Sequence, residues 1–215
     1  MKKSTEQLSS SSMTKIRNGI SPIALLGAAA LAAVSMPAFA HPGHSTYGGL
    51  LAGFVHPLSG FDHLLAMIAV GVWAAQLGGR AMWAVPLAFV SMMALGAVLA
   101  MTGVIGMAPS AIEPGIAASL LGLGLLVVRA QRLPMGMAAM LVGVFALFHG
   151  VAHAAELPGF ANPMRYAFGF LAATILLHGI GLGFGATASA RAPLLSRLGG
   201  AATAVAGAIA LVGSV

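Results

Sequence analysis

Residues 134–156 read PMGMAAMLVGVFALFHGVAHAAE, and this stretch decides the class of the fold. A lipid hydrocarbon core takes about 20 consecutive apolar residues per helix. Here the chain passes that length with one charged residue, Glu156, at its very end, and with His149 and His153 as polar exceptions inside it. Comparable stretches lie near 47–77, 82–106, 112–129, 164–187 and 195–214. The expected fold class is therefore all-α, a polytopic membrane protein with six transmembrane helices. The connections are too short for a soluble domain, so residues 41–215 form one transmembrane domain.

Composition points the same way. Of 215 residues, 59% are hydrophobic and 7% charged, with a mean hydropathy of +0.98. Soluble proteins carry about a quarter charged residues, and this chain has too few to cover a water-exposed globule. The net charge of +6 does not indicate nucleic acid, because the arginines are scattered singly between apolar runs and form no basic patch. Cysteine is absent, which excludes disulfides, thiolate metal sites, iron–sulfur clusters and cysteine nucleophiles. No G-x-x-x-x-G-K-[ST] loop occurs, so the chain holds no ATP site of that kind.

The amino terminus reads as a processing segment. Lys2, Lys3, Lys15 and Arg17 precede an apolar run from Ile20 to Val34, and Met36-Pro37-Ala38-Phe39-Ala40 ends it with small residues at −3 and −1. That pattern predicts a secretory signal over residues 1–40, cleaved after Ala40, with His41-Pro42-Gly43-His44 as the new terminus on the outer face. Starting outside, the inner connections hold Arg80, then Arg129 and Arg132, then Arg191 and Arg197. The outer side holds Glu113, Glu156 and one arginine, Arg165. The arginine bias agrees with the exported terminus and places the chain in the bacterial inner membrane with its mature amino terminus in the periplasm.

The ionisable residues within the spans concentrate in two short stretches. The first is His56-Pro57-Leu58-Ser59-Gly60-Phe61-Asp62-His63, where Pro57 and Gly60 predict a span broken near Pro57. On a continuous helix His56 and His63 would stand about 20° apart and Asp62 about 100° from His63. In the second, His149, His153 and Glu156 at i, i+4 and i+7 fall within about 60° of arc, a spacing that lets side chains converge on one cation. Charged groups at such depth cost roughly 2.5–3.5 kcal/mol on insertion scales and mark functional sites. The expected metal ligands are His56, Asp62, His63, His149, His153 and Glu156, with His178, His41 and His44 as further candidates. Imidazole and carboxylate without thiolate suit Ni²⁺, Co²⁺, Zn²⁺ or Cu²⁺. Glu113 reads as structural, since Ser110-Ala111-Ile112-Glu113 has capping-box spacing. Glycines at helical spacing, Gly179/Gly183, Gly181/Gly185 and Gly199 to Gly207, predict close helix packing.

The two stretches together resemble the signature motifs of the HupE/UreJ family of nickel and cobalt permeases. The family's first motif, HP-x-x-G-x-DH-x-L-x-M, matches at His56, Pro57, Gly60, Asp62, His63, Leu65 and Met67. Its second, FHG-x-AHG-x-E, matches at Phe148, His149, Gly150, Ala152, His153 and Glu156, with Ala154 in place of the second glycine. The resemblance covers the signal segment, the HPGH start and all six spans. It implies a non-enzymatic secondary permease that takes up Ni²⁺ or Co²⁺ as transported cargo for hydrogenase or urease, with no permanently bound cofactor. The expected partners are a divalent transition-metal ion and the lipid bilayer, with a homo-oligomer left open, and neither nucleic acid nor ATP. Two other classes stand beside it. A membrane metallo-hydrolase is disfavoured because Gly150 occupies the general-base position of H-E-x-x-H. A non-transporting accessory that holds metal for enzyme maturation would use the same ligands.

Overall fold

The computed structural model describes residues 49–157, 159 and 161–214. The expected signal segment, His41 and His44 lie outside the described residues. Those described form seven α-helices and no strand: α1 Gly49–Ser59, α2 Phe61–Leu77, α3 Ala81–Met101, α4 Pro109–Arg129, α5 Met135–Ala155, α6 Pro163–Arg191 and α7 Pro193–Gly213. Five of these, α3 to α7, are long and apolar enough to cross a membrane. The pair α1–α2 qualifies jointly as a sixth span, broken and bent by 80°.

The helices are apolar on all sides, which is the pattern of a membrane span rather than of an amphipathic surface helix. In α3 the face carrying Ala81, Val85, Phe89 and Met93 is buried. The opposite face carries Trp83, Leu87, Leu95 and Val98, which are exposed and equally apolar. Proline starts α4, α6 and α7, where its missing N–H falls on a position that has no intrahelical partner. Gly78 and Gly79, both at positive φ, make the tight turn into α3.

Two local expectations shift. The first span breaks at Gly60, whose backbone is extended at φ −92° and ψ 115°, while Pro57 stays inside α1. Pro57 lies in the last turn of α1, so the one hydrogen bond it forfeits costs little helix beyond it. The capping box on Ser110 does not form: Ala108 occupies the N-cap position without a side-chain cap and Ser110 lies inside α4. Pro109, one residue earlier, starts the helix ahead of the serine.

α2 sits at the centre of the bundle, against α1, α3, α4, α6 and α7, and α3 packs along α5 and α4 along α7. Its buried residues include Met67, Val70, Trp73 and Ala74. The Trp73 indole donates to the Gln131 carbonyl at 2.8 Å and the Gln76 amide donates to the Val127 carbonyl at 3.1 Å, tying the end of α2 to the end of α4. The register of close approaches gives the direction of each pair. Gly181 faces Ile68 and Gly185 faces Val72, so α2 and α6 run parallel. Gly143 faces Met92 and Gly150 faces Ala97, so α3 and α5 run parallel too. Gly200 faces Val127 and Gly207 faces Leu121, so α4 and α7 are antiparallel. These are the directions that alternating passes through a membrane require.

Lipid tails are as apolar as leucine, so such helices associate through close packing rather than hydrophobic burial. Some of the expected glycines supply it, Gly200 and Gly207 against α4 among them, while Gly199 faces open space. Gly181 and Gly185 meet α2, whereas Gly179 and Gly183 have open space where a side chain would be. The clearest test is Gly71, where a Cβ would press against the His178 carbonyl and come within 2.8 Å of the Leu182 nitrogen. Gly71→Val is expected to destabilise the protein by about 1–3 kcal/mol, read as a lower thermal midpoint in detergent. Gly183→Val, on the open face, should melt close to the wild type.

Candidate metal centre

The break at Gly60 assembles one side of the site. His56 lies in the last turn of α1, and the Ser59 hydroxyl donates to the His56 carbonyl at 2.7 Å, closing that helix end. Across the break, Asp62 stands in the first turn of α2, where the helix dipole favours a carboxylate. Its Oδ1 accepts the His63 backbone N–H at 2.8 Å and lies 3.5 Å from His63 Nδ1. The other side comes from the end of α5. His149 and His153 lie in its last two turns, and the Glu156 backbone N–H donates to the Ala152 carbonyl at 3.0 Å, so Glu156 caps the helix.

The two sides meet around one carboxylate oxygen. Glu156 Oε2 is 2.9 Å from His56 Nε2, 3.4 Å from His153 Nδ1 and 3.8 Å from His63 Nε2. One donor atom from each of His56, His63, His153 and Glu156 lies within 4.8 Å of the others. Imidazole and carboxylate bonds of about 2.0–2.2 Å to a metal place neighbouring donors about 3–3.5 Å apart, so modest side-chain rotations would be needed for this set to hold one ion. His153 carries an independent sign: it is buried, and neither ring nitrogen has a hydrogen-bond partner among the described residues. A buried polar group without a partner is costly, and a metal ion would satisfy it.

Exposure grades inward. The Glu156 side chain is 46% exposed and that of His56 26%, while His63 and His153 are at 4% and 5%. Glu156 and His56 are therefore the exposed members of the set, and His63 and His153 the buried ones. The Glu156 carboxylate thus stands beside three imidazoles that can each present a nitrogen lone pair.

The remaining expected ligands take other places. Asp62 contacts His63 from behind and is not among the four converging donors. His149 is fully buried one layer further in, with its Nδ1 3.3 Å from His63 Nδ1 and its Nε2 2.9 Å from Ser119 Oγ. His178 is deeper still. Its ring lies 5.2 Å from that of Phe89, which is 5.6 Å from His149, and among the described residues neither nitrogen of His178 has a hydrogen-bond partner. Aromatic rings wall the site, with Phe170 4.1 Å from the His153 ring and Tyr166 5.8 Å from His56. Ser119 is the residue that sequence reasoning missed. Its signal was a lone hydroxyl in the apolar run of α4, at a depth where a polar group needs a partner.

A family model described as "HupE / UreJ protein" matches residues 29–210. The chain is 47% identical over 185 residues to Protein HupE of Rhizobium leguminosarum bv. viciae, covering 85% of this chain and 95% of that protein. No solved structure matches it.

The geometry generates a binding test. Purified protein in detergent, titrated with Co²⁺ and followed by visible absorption, is expected to lose about 10- to 100-fold or more in affinity on His63→Ala, His153→Ala or Glu156→Ala. Wild-type affinity in all three variants would place the ion elsewhere.

Proposed function

The chain belongs to the HupE/UreJ family, and from that premise we propose that it is a secondary transporter or facilitator for Ni²⁺, with Co²⁺ as the alternative cargo. It carries the ion from the periplasm to the cytoplasm for nickel enzymes such as hydrogenase or urease, and acts as a carrier rather than an enzyme. The observation that carries this reading is the set of three imidazoles and one carboxylate gathered at the break of an otherwise apolar span. Irregular backbone and ionisable groups at membrane depth are retained where they line a substrate site.

In this reading Glu156 and His56 collect the hydrated ion, and His63 and His153 replace water ligands on the inner side. His149 and Asp62 hold His63 from behind. His178, aligned deeper behind Phe89, receives the ion on its way inward. His41 and His44 add capture capacity at the exported terminus. The absence of thiolate and the mixture of nitrogen and oxygen donors suit borderline divalent ions over Cu⁺. A divalent cation gains about 4.6 kcal/mol per 100 mV of inside-negative potential, twice the value for one charge, so uptake proceeds without ATP.

Nickel uptake into proteoliposomes under an inside-negative potential tests the proposal. The wild type is expected to show saturable flux that cobalt competes for and magnesium does not, with at least a tenfold loss in His63→Ala. Saturable nickel binding with no flux in sealed vesicles would overturn transport in favour of a maturation accessory that holds the metal.

A further inference from the structure

Behind the donor set runs a chain of hydrogen bonds whose direction is fixed at its far end. The Ser119 hydroxyl lies 2.6 Å from the Ile116 carbonyl, one turn back in α4. A carbonyl has no proton, so at that separation the single hydroxyl proton must lie between these two oxygens. Ser119 Oγ has nothing left to donate to His149 Nε2 at 2.9 Å, and the proton in that bond belongs to His149. A neutral imidazole protonated on Nε2 is bare on Nδ1. His149 Nδ1 therefore accepts, and the proton on the 3.3 Å contact belongs to His63 Nδ1. His63 is then bare on Nε2, the atom that faces Glu156 Oε2 and the other donors. Asp62 Oδ1, 3.5 Å from His63 Nδ1, favours a proton on the same nitrogen.

We propose that Ser119 and His149 are positioning residues that set the tautomer of His63, so that its Nε2 presents a lone pair to the incoming metal ion. The proposal rests on the metal-site reading above and goes beyond it in two ways. It assigns a role to a serine outside both sequence motifs, and it makes His149 a support for a ligand rather than a ligand. All three side chains are buried, so no water is needed to satisfy the relay. The reversed polarity would put a proton on His63 Nε2, aimed into the site and unable to bind metal. Metal-bound imidazoles are oriented through their second nitrogen in this way, and loss of such a partner typically costs 10- to 100-fold in affinity.

The test uses the full-length protein in detergent, titrated with Ni²⁺ and with Co²⁺. Ser119→Ala is expected to weaken binding by about 10- to 100-fold, and Ser119→Thr, which keeps the hydroxyl, to restore most of it. His149→Gln separates support from ligation, because its amide can donate to Ser119 while its carbonyl accepts from His63. It is expected to bind at least about tenfold more tightly than His149→Leu. In ¹⁵N spectra of histidine-labelled, metal-free protein at alkaline pH, the His63 signals, assigned by their loss in His63→Ala, should show protonated Nδ1 and bare Nε2. Ser119→Ala should shift that balance.

Should Ser119→Ala fail to fold, the His149 pair and the wild-type spectrum decide. Affinity lost in His63→Ala but unchanged in Ser119→Ala, or His149→Gln as weak as His149→Leu, would overturn the relay while leaving the metal site standing. No binding by the wild type, or binding indifferent to His63→Ala, would overturn the metal reading itself. A His63 protonated on Nε2 would overturn the relay directly.

Discussion

The 80° bend at Gly60 is the constraint on which the rest depends. A straight helix through residues 49–77 would lay His56 two turns from His63, about 10 Å along the axis, too far for one ion. The extended backbone at Gly60 ends α1, turns the chain and starts α2, so that the last turn of one helix and the first turn of the next face the same space. The bend also exposes helix-end polarity at the site: Asp62 sits where the N-terminal dipole of α2 holds a carboxylate. A span that served only as an anchor would have no use for such a break.

The bundle around that bend makes it rigid. α2 is gripped by α6 through backbone approaches at Gly71, Gly181 and Gly185, and its far end is tied to α4 through Trp73 and Gln76. α5, which brings His149, His153 and Glu156, is held by α3 at Gly96 and Gly150. Gly150 belongs to the second motif, and a Cβ there would run into the Met93 carbonyl. The motif thus couples a packing residue to the ligands on either side of it. A donor set held by side chains alone would relax away when empty, whereas this one is fixed by helix positions.

Much of this was legible in the sequence, for identifiable reasons. The spans follow from apolar length, and the parallel and antiparallel registers are those of successive passes. The convergence of His153 and Glu156 follows from helical spacing alone, because α5 is a regular helix to its end. The meeting of His56 with His63 does not follow from helical spacing. The 20° separation assumed a continuous helix, and what joins the two residues is the bend. Asp62 and His149 stand among the expected ligands because they are polar at depth. The structure places both against His63 and outside the four converging donors, and no local pattern carries that information. The same holds for Ser119, whose partner lies 30 positions away, and for the glycines, where spacing cannot tell a face toward a helix from a face toward lipid. Ser110 failed as a cap because Pro109 started the helix one residue sooner.

The central claim is that the bend and the end of α5 build one metal site. A crystal of the cobalt-loaded protein, with data collected at the cobalt absorption edge, measures this most directly. The account predicts an anomalous peak bonded at about 2.0–2.2 Å to His56, His63, His153 and Glu156, with His149 and Asp62 in contact only through His63. A peak lying instead on His178 or at the protein surface, with those four side chains free of metal, would contradict it.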